Sequence, residues 1–160
     1  MKTSHEIIIE NLGKLTLNFS TLELTVSAFV SKLISDDSKI GAIITSEMSF
    51  QNLLKAFSSL SQYKLNNHIE YTKIFKLINR IKVVEQERNK LVHSAYAISN
   101  IEDRILRIKI TAKQYKGLNI INEEINIKNF KNIITKIHEI THEIILLYKK
   151  IFDTQQINYA

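Results

Sequence analysis

The chain has 160 residues, no cysteine, no proline, three glycines and a net charge of +6. That length suits one domain spanning 1–160 with a core that needs no staples. The absence of cysteine excludes disulfides, thiolate metal sites and a cysteine nucleophile. So few helix breakers favour long helices over a turn-rich sandwich. In chain order, Ile8, Leu12, Leu15, Phe19, Leu22, Val26, Phe29 and Leu33 are spaced 4, 3, 4, 3, 4, 3, 4, which predicts one long first helix. Residues 35–41, SDDSKIG, read as a loop. A second helix is expected near 47–60, with Phe50, Leu53, Phe57 and Leu60 on one face. SQYKLNN then links it to a third helix, which opens on a capping box of Asn67 and Glu70. That third helix carries Ile74, Ile78, Ile81, Val84, Leu91 and Ala95 near one face.

From residue 104 the period changes. In RILRIKITA, Leu106, Ile108 and Ile110 alternate with Arg107, Lys109 and Thr111, which predicts a strand. Lys116-Gly117 suits a turn, and LNIINEEINI returns as the partner strand. Asn126 suits an N-cap, after which Phe130, Ile133, Ile137, Ile140, Ile144, Leu147 and Ile151 restore the helical stripe. The expected architecture is all-α. It is a four- or five-helix up-and-down bundle with a small β-hairpin inserted over about 100–126, before the last helix. The longest apolar run, IILLY at 144–148, is too short to span a bilayer, and the opening MKTSHEIIIE does not read as a signal peptide. A cytoplasmic protein without a membrane partner is the expectation.

Charge is uneven along the chain. Residues 88–116 hold seven bases and two acids, a net +5, while the rest nearly balances. Such a run is either a solvated face or a surface for polyanions. It begins in ERNKLVHSAY, 87–96. On a continuous helix Glu85, Asn89, His93 and Tyr96 share one face, with Arg88 beside it. A second motif competes. HEITH, 138–142, matches H-E-x-x-H, which sets two imidazoles on one helical face for zinc. Composition makes the two patterns equally rare. Context separates them, because a catalytic zinc needs a third protein ligand. Ile145 and Tyr148 stand where the longer form has Gly and His, and neither Glu143 nor Asp153 has a ligand setting. No metal and no cofactor are therefore expected.

Arg88, Asn89 and His93, placed late in a helix of a small helical domain, resemble the R-N-x-x-x-H motif of the HEPN superfamily. The resemblance extends to NFSTLE, 18–23, where similar chains have an aromatic residue and a Glu in the long first helix. Members paired with a minimal nucleotidyltransferase carry Tyr two residues after His, whereas Tyr96 stands three after His93.

The resemblance implies a metal-independent endoribonuclease of toxin–antitoxin or antiphage defence. Arg88, Asn89 and His93 would be its catalytic residues, and a homodimer would bring two motifs together. A cognate antitoxin or defence partner would bind it. The chemistry of the residues agrees. RNA supplies its own 2′-hydroxyl nucleophile, a His near neutral pKa moves the proton, and an Arg fork holds the phosphate. Glu23, Glu85 and Tyr96 are candidate auxiliaries. Lys90, Arg104, Arg107, Lys109, Lys113 and Lys116 are candidate contacts to the RNA backbone. The alternative is a non-catalytic HEPN-like module that binds RNA, a nucleotide or a protein.

Overall fold

A computed structural model describes residues 2–99, 104–113 and 117–153. The protein is mostly helical, with a small antiparallel sheet ahead of the last helix. Helix α1 spans Ser4–Ile34. A capping box starts it: the Thr3 hydroxyl accepts from the Glu6 amide at 3.2 Å, and the Glu6 carboxylate accepts from the Thr3 amide at 2.8 Å. The expected stripe on α1 is buried, except that Leu12 is only partly covered.

A short helix begins inside the stretch read as a loop. Helix α2 covers Ser38–Ser46, capped by Asp37, whose carboxylate accepts from the Lys39 amide at 2.8 Å. Asp and Ser at 36–38 looked like loop residues, but they form an N-cap. Helix α3 spans Phe50–Leu65 from an N-cap at Ser49, so it starts and ends later than expected. The linker SQYKLNN is mostly its last turn.

Helix α4 spans Tyr71–Val92. The Asn67–Glu70 box does not form. Glu70 holds the N-cap position with no side-chain cap bond, and its own amide donates to His68 Nδ1 at 3.1 Å. Ile74, Ile78, Ile81, Val84 and Leu91 are buried as the stripe requires. The helix stops at Val92, and His93 is its C-cap, with the His93 amide donating to the Asn89 carbonyl at 3.2 Å.

The predicted hairpin is two strands of a three-stranded sheet. Strands β1 (Ala95–Ser99), β2 (Arg104–Lys113) and β3 (Gly117–Glu124) are antiparallel in the order β1-β2-β3. Strand β1 was missed because Ala95 continued the helical stripe. Its strand state comes from pairing with β2, such as Tyr96 with Arg107 and Ala97 with Leu106, which no local pattern announces. Gly117, at φ 69, opens β3 in the left-handed region that glycine tolerates. Helix α5 spans Ile127–Tyr148 from the expected cap, Asn126, and runs into a π-helical turn at Lys149–Asp153.

Aromatic rings tie α1 to its neighbours. Phe19 meets Phe50 edge-on at 5.1 Å, and Phe29 meets Phe57 at 4.8 Å and Tyr148 at 5.8 Å. Helices α4 and α5 run antiparallel, since Arg80 pairs with Glu143 while Glu87 pairs with Lys136. The sheet therefore sits where α4 ends and α5 begins. Among the described residues no helix is long and apolar enough to cross a membrane.

Candidate functional site

The last turn of α4 leaves carbonyl groups without helical partners. Side chains from the segment after the helix fill these vacancies. The Tyr96 hydroxyl donates to the Leu91 carbonyl at 2.6 Å. The Ser94 hydroxyl donates to the Lys90 carbonyl at 2.7 Å, and Arg107 Nη1 donates to the same carbonyl at 3.1 Å and to Ser94 Oγ at 3.2 Å. The sheet thus acts as the C-cap of α4, and a buried cation sits against the negative end of the helix dipole. His93 stands in the middle of this brace, with its side chain exposed.

Two of the sequence-predicted roles change accordingly. Tyr96 is not on the helical face of Glu85, Asn89 and His93, because it lies on β1. Burial raises its phenol pKa, against the opposing charge of Arg107. Arg107, expected to meet RNA, is only 8% exposed and forms an ion pair with Glu123 across the β2–β3 ladder. Alternation along β2 does not announce this burial, which comes from the end of α4 taking up the guanidinium.

Arg88 turns toward α1. Its guanidinium carbon lies 4.9 Å from the centre of the Phe19 ring, a cation–π contact. Its Nη1 donates to Asn89 Oδ1 at 2.9 Å, while its Nε is buried with no hydrogen bond among the described residues. Glu23 on α1 and Glu85 on α4 are both half-buried beside it. Burial raises the pKa of Glu23; the Arg88 charge opposes this and the Glu85 charge adds to it. Burial likewise raises Glu85, again opposed by Arg88. NFSTLE thus supplies both the ring under Arg88 and one of its two carboxylate neighbours. The signal was the spacing of Phe19 and Glu23, four residues apart on one face.

Asn89 joins the two halves of the site. Its side chain holds Arg88, its carbonyl holds the His93 amide, and it lines an open cleft of about 340 Å³ with Gln86, Lys90, His93, Ser94 and Lys109. Gln86 and Ser94 were not singled out from sequence. Among the described residues neither Lys90 nor Lys109 enters an ion pair, so their charges face the cleft uncompensated. Arg104 lies 3.9 Å from Glu124 across the ladder, a pairing that dilutes the basic run. The Lys113 side chain and Lys116 lie outside the described residues. His138 and His142 are exposed on α5, and among the described residues no group of three or more His, Asp or Glu side chains could hold a metal.

No family model, curated protein or solved structure matches the chain.

Proposed function

We propose that the chain is a metal-independent endoribonuclease of the HEPN type, a cytoplasmic homodimer acting in toxin–antitoxin or antiphage defence. One observation carries the reading. An exposed His93, fixed at a braced helix end, shares an open cleft with Asn89, which holds Arg88, and with two unpaired lysines. The imidazole and the two ammonium groups offer a proton carrier and phosphate contacts, and Arg88, which does not itself line the cleft, reaches it through Asn89. The 2′-oxygen attacks phosphorus as its proton passes to an imidazole. The bond to the 5′-oxygen breaks, and that oxygen takes a proton from a second acid. His93 serves as one of these groups, and its counterpart across a two-fold axis as the other. Arg88 stabilises the charge gathering on phosphorus. Lys90 and Lys109 hold the flanking backbone.

Arg88 also favours a second reading. It stacks on Phe19 and is engaged with Asn89, which suits a structural role in a non-catalytic RNA-, nucleotide- or protein-binding module.

The deciding experiment incubates wild type and His93→Ala with total RNA plus EDTA. Cleavage by wild type alone is expected. Cleavage by both removes His93 from the chemistry. Salt-dependent binding by both without cleavage makes the binding module the better account. Light scattering should give about twice the monomer mass of 18.6 kDa.

A further inference from the structure

A larger cleft, about 390 Å³, adjoins the His93 cleft and shares Lys90 and Lys109 with it. It opens between the last turn of α4, the first turns of α5 and the face of the sheet that bears Arg107. Its apolar lining is Leu91, Ile121, Ile125 and Ile133. Asn129 and Asn132, both exposed on the first turns of α5, add two amides to the wall. The remaining charges cancel in place: Glu87 bonds to Lys136, and Glu123 bonds to Arg107. The arrangement is an open cleft of mixed lining, with four apolar side chains, two amides from α5 and two unpaired ammonium groups shared with the His93 cleft.

Each part of that arrangement has a match in a nucleotide. The volume falls within the range of small-ligand sites. The apolar side chains Leu91, Ile121, Ile125 and Ile133 suit the face of a base. An amide carries both donor and acceptor, which is what reading a base edge requires. Lysines at the mouth suit the phosphate that follows. We propose that this cleft is a nucleotide subsite: it takes one unpaired base of the RNA, Asn129 and Asn132 read the base edge, and Lys90 and Lys109 hold its phosphate where the chain passes to His93. The proposal rests on RNA being the ligand of the His93 cleft. It makes the substrate single-stranded at this position, since a paired base cannot enter, and it makes the cleavage base-selective.

The test uses the full chain, with the four nucleoside 3′-monophosphates and inorganic phosphate as probes, followed by NMR. One or two of the nucleotides are expected to shift the side-chain amides of Asn129 and Asn132, with inorganic phosphate leaving them unmoved. Both asparagines are exposed, so the Asn129→Ala/Asn132→Ala variant should fold. It should bind the preferred nucleotide roughly tenfold more weakly, the scale of two modest hydrogen bonds. The subsite is overturned if all four nucleotides and inorganic phosphate bind alike and the double variant matches wild type. Its fate is separable from that of the nuclease. Nucleotide binding at Asn129 and Asn132 without RNA cleavage keeps the subsite and sinks the nuclease. Cleavage that depends on His93 but keeps its base preference in the double variant sinks the subsite alone.

Discussion

Arg107 Nη1 donates to the Lys90 carbonyl at 3.1 Å, so a cation from the middle strand closes the end of the helix that carries His93. The same group reaches Ser94 Oγ at 3.2 Å. Replacing Arg107 by Met removes a charged donor from a partly buried carbonyl and hydroxyl and leaves Glu123 unpaired. Glu123 is exposed and regains water, and Ser94 still donates to the Lys90 carbonyl, so the loss is mainly that of the charged donor's own hydrogen bonds. The expected destabilisation is about 1–3 kcal/mol, measured by chemical denaturation. An unchanged midpoint would remove the brace.

Lys90 and Lys109 should behave in the opposite way. Both are exposed and outside the core, so Lys90→Gln and Lys109→Gln should leave stability nearly unchanged. If each meets a phosphate, each substitution should weaken RNA binding and flatten the slope of log affinity against log salt by about one unit or less. Arg107→Met should not change that slope through any direct contact. Equal slopes for wild type and both lysine variants would place the RNA elsewhere.

The setting of Arg88 has a pH consequence. Burial raises Glu23 and Glu85, so near the carboxylate range the folded chain binds more protons than the unfolded one. Stability from these two groups is therefore greatest at low pH, and it falls as pH rises from the ordinary carboxylate pKa through the raised folded values. Arg88 opposes both shifts. Arg88→Ala should push both carboxyls higher and extend that window upward, whereas Arg88→Lys should largely preserve the wild-type titration. Carbon-detected NMR of the two carboxyls reads this directly. Identical titrations in Arg88→Ala and wild type would separate Arg88 from both acids.

Much of this site was legible because helix faces repeat. The stripe that buries Phe19 also fixes where Glu23 points, and the stripe on α4 fixes Arg88 and Asn89. What could not be read depended on distant pairing. Tyr96 continued a helical pattern until β2 offered it a ladder. Arg107 alternated like an exposed strand residue until the end of α4 took up its guanidinium, and Glu123 supplied its counter-charge from the third strand. The run of net +5 likewise ignored the acids that β3 brings alongside. Local sequence gives charge but not its cross-strand neighbour.

Helix α2 gives a test independent of function. A Cβ added at Gly41 would collide with the Ser31 backbone and hydroxyl on α1. Helix backbone cannot yield as a flexible side chain does. Gly41→Ala should therefore cost about 1–3 kcal/mol, despite the better helix propensity of alanine. Gly13 has nothing within 4 Å of such a Cβ, so Gly13→Ala should stabilise α1 by up to about 1 kcal/mol. Thermal melts of the two variants should move in opposite directions. Two shifts of the same sign would contradict the close contact of α2 with α1.

The last prediction concerns the chemistry. If the 2′-hydroxyl is the nucleophile, wild-type products should end in 2′,3′-cyclic phosphates, and 2′-O-methyl RNA should resist cleavage. Activity should persist in EDTA, and metal analysis should find no stoichiometric zinc at His138 and His142. His93→Ala should lower the rate by roughly 10²–10⁴-fold, the usual worth of a positioned proton-transfer group, while RNA binding survives. Arg88→Lys keeps the charge but loses the planar fork that bonds Asn89 and stacks on Phe19, so it should be strongly impaired. Asn89→Ala leaves that fork in place and removes one of its partners, so its effect should be milder. The order of these three variants tests the geometry. If Asn89→Ala proves worse than His93→Ala, the amide rather than the imidazole stands at the reacting phosphate. Linear 3′-hydroxyl ends would instead mark attack by water on phosphorus, and the 2′-hydroxyl mechanism would fall with them.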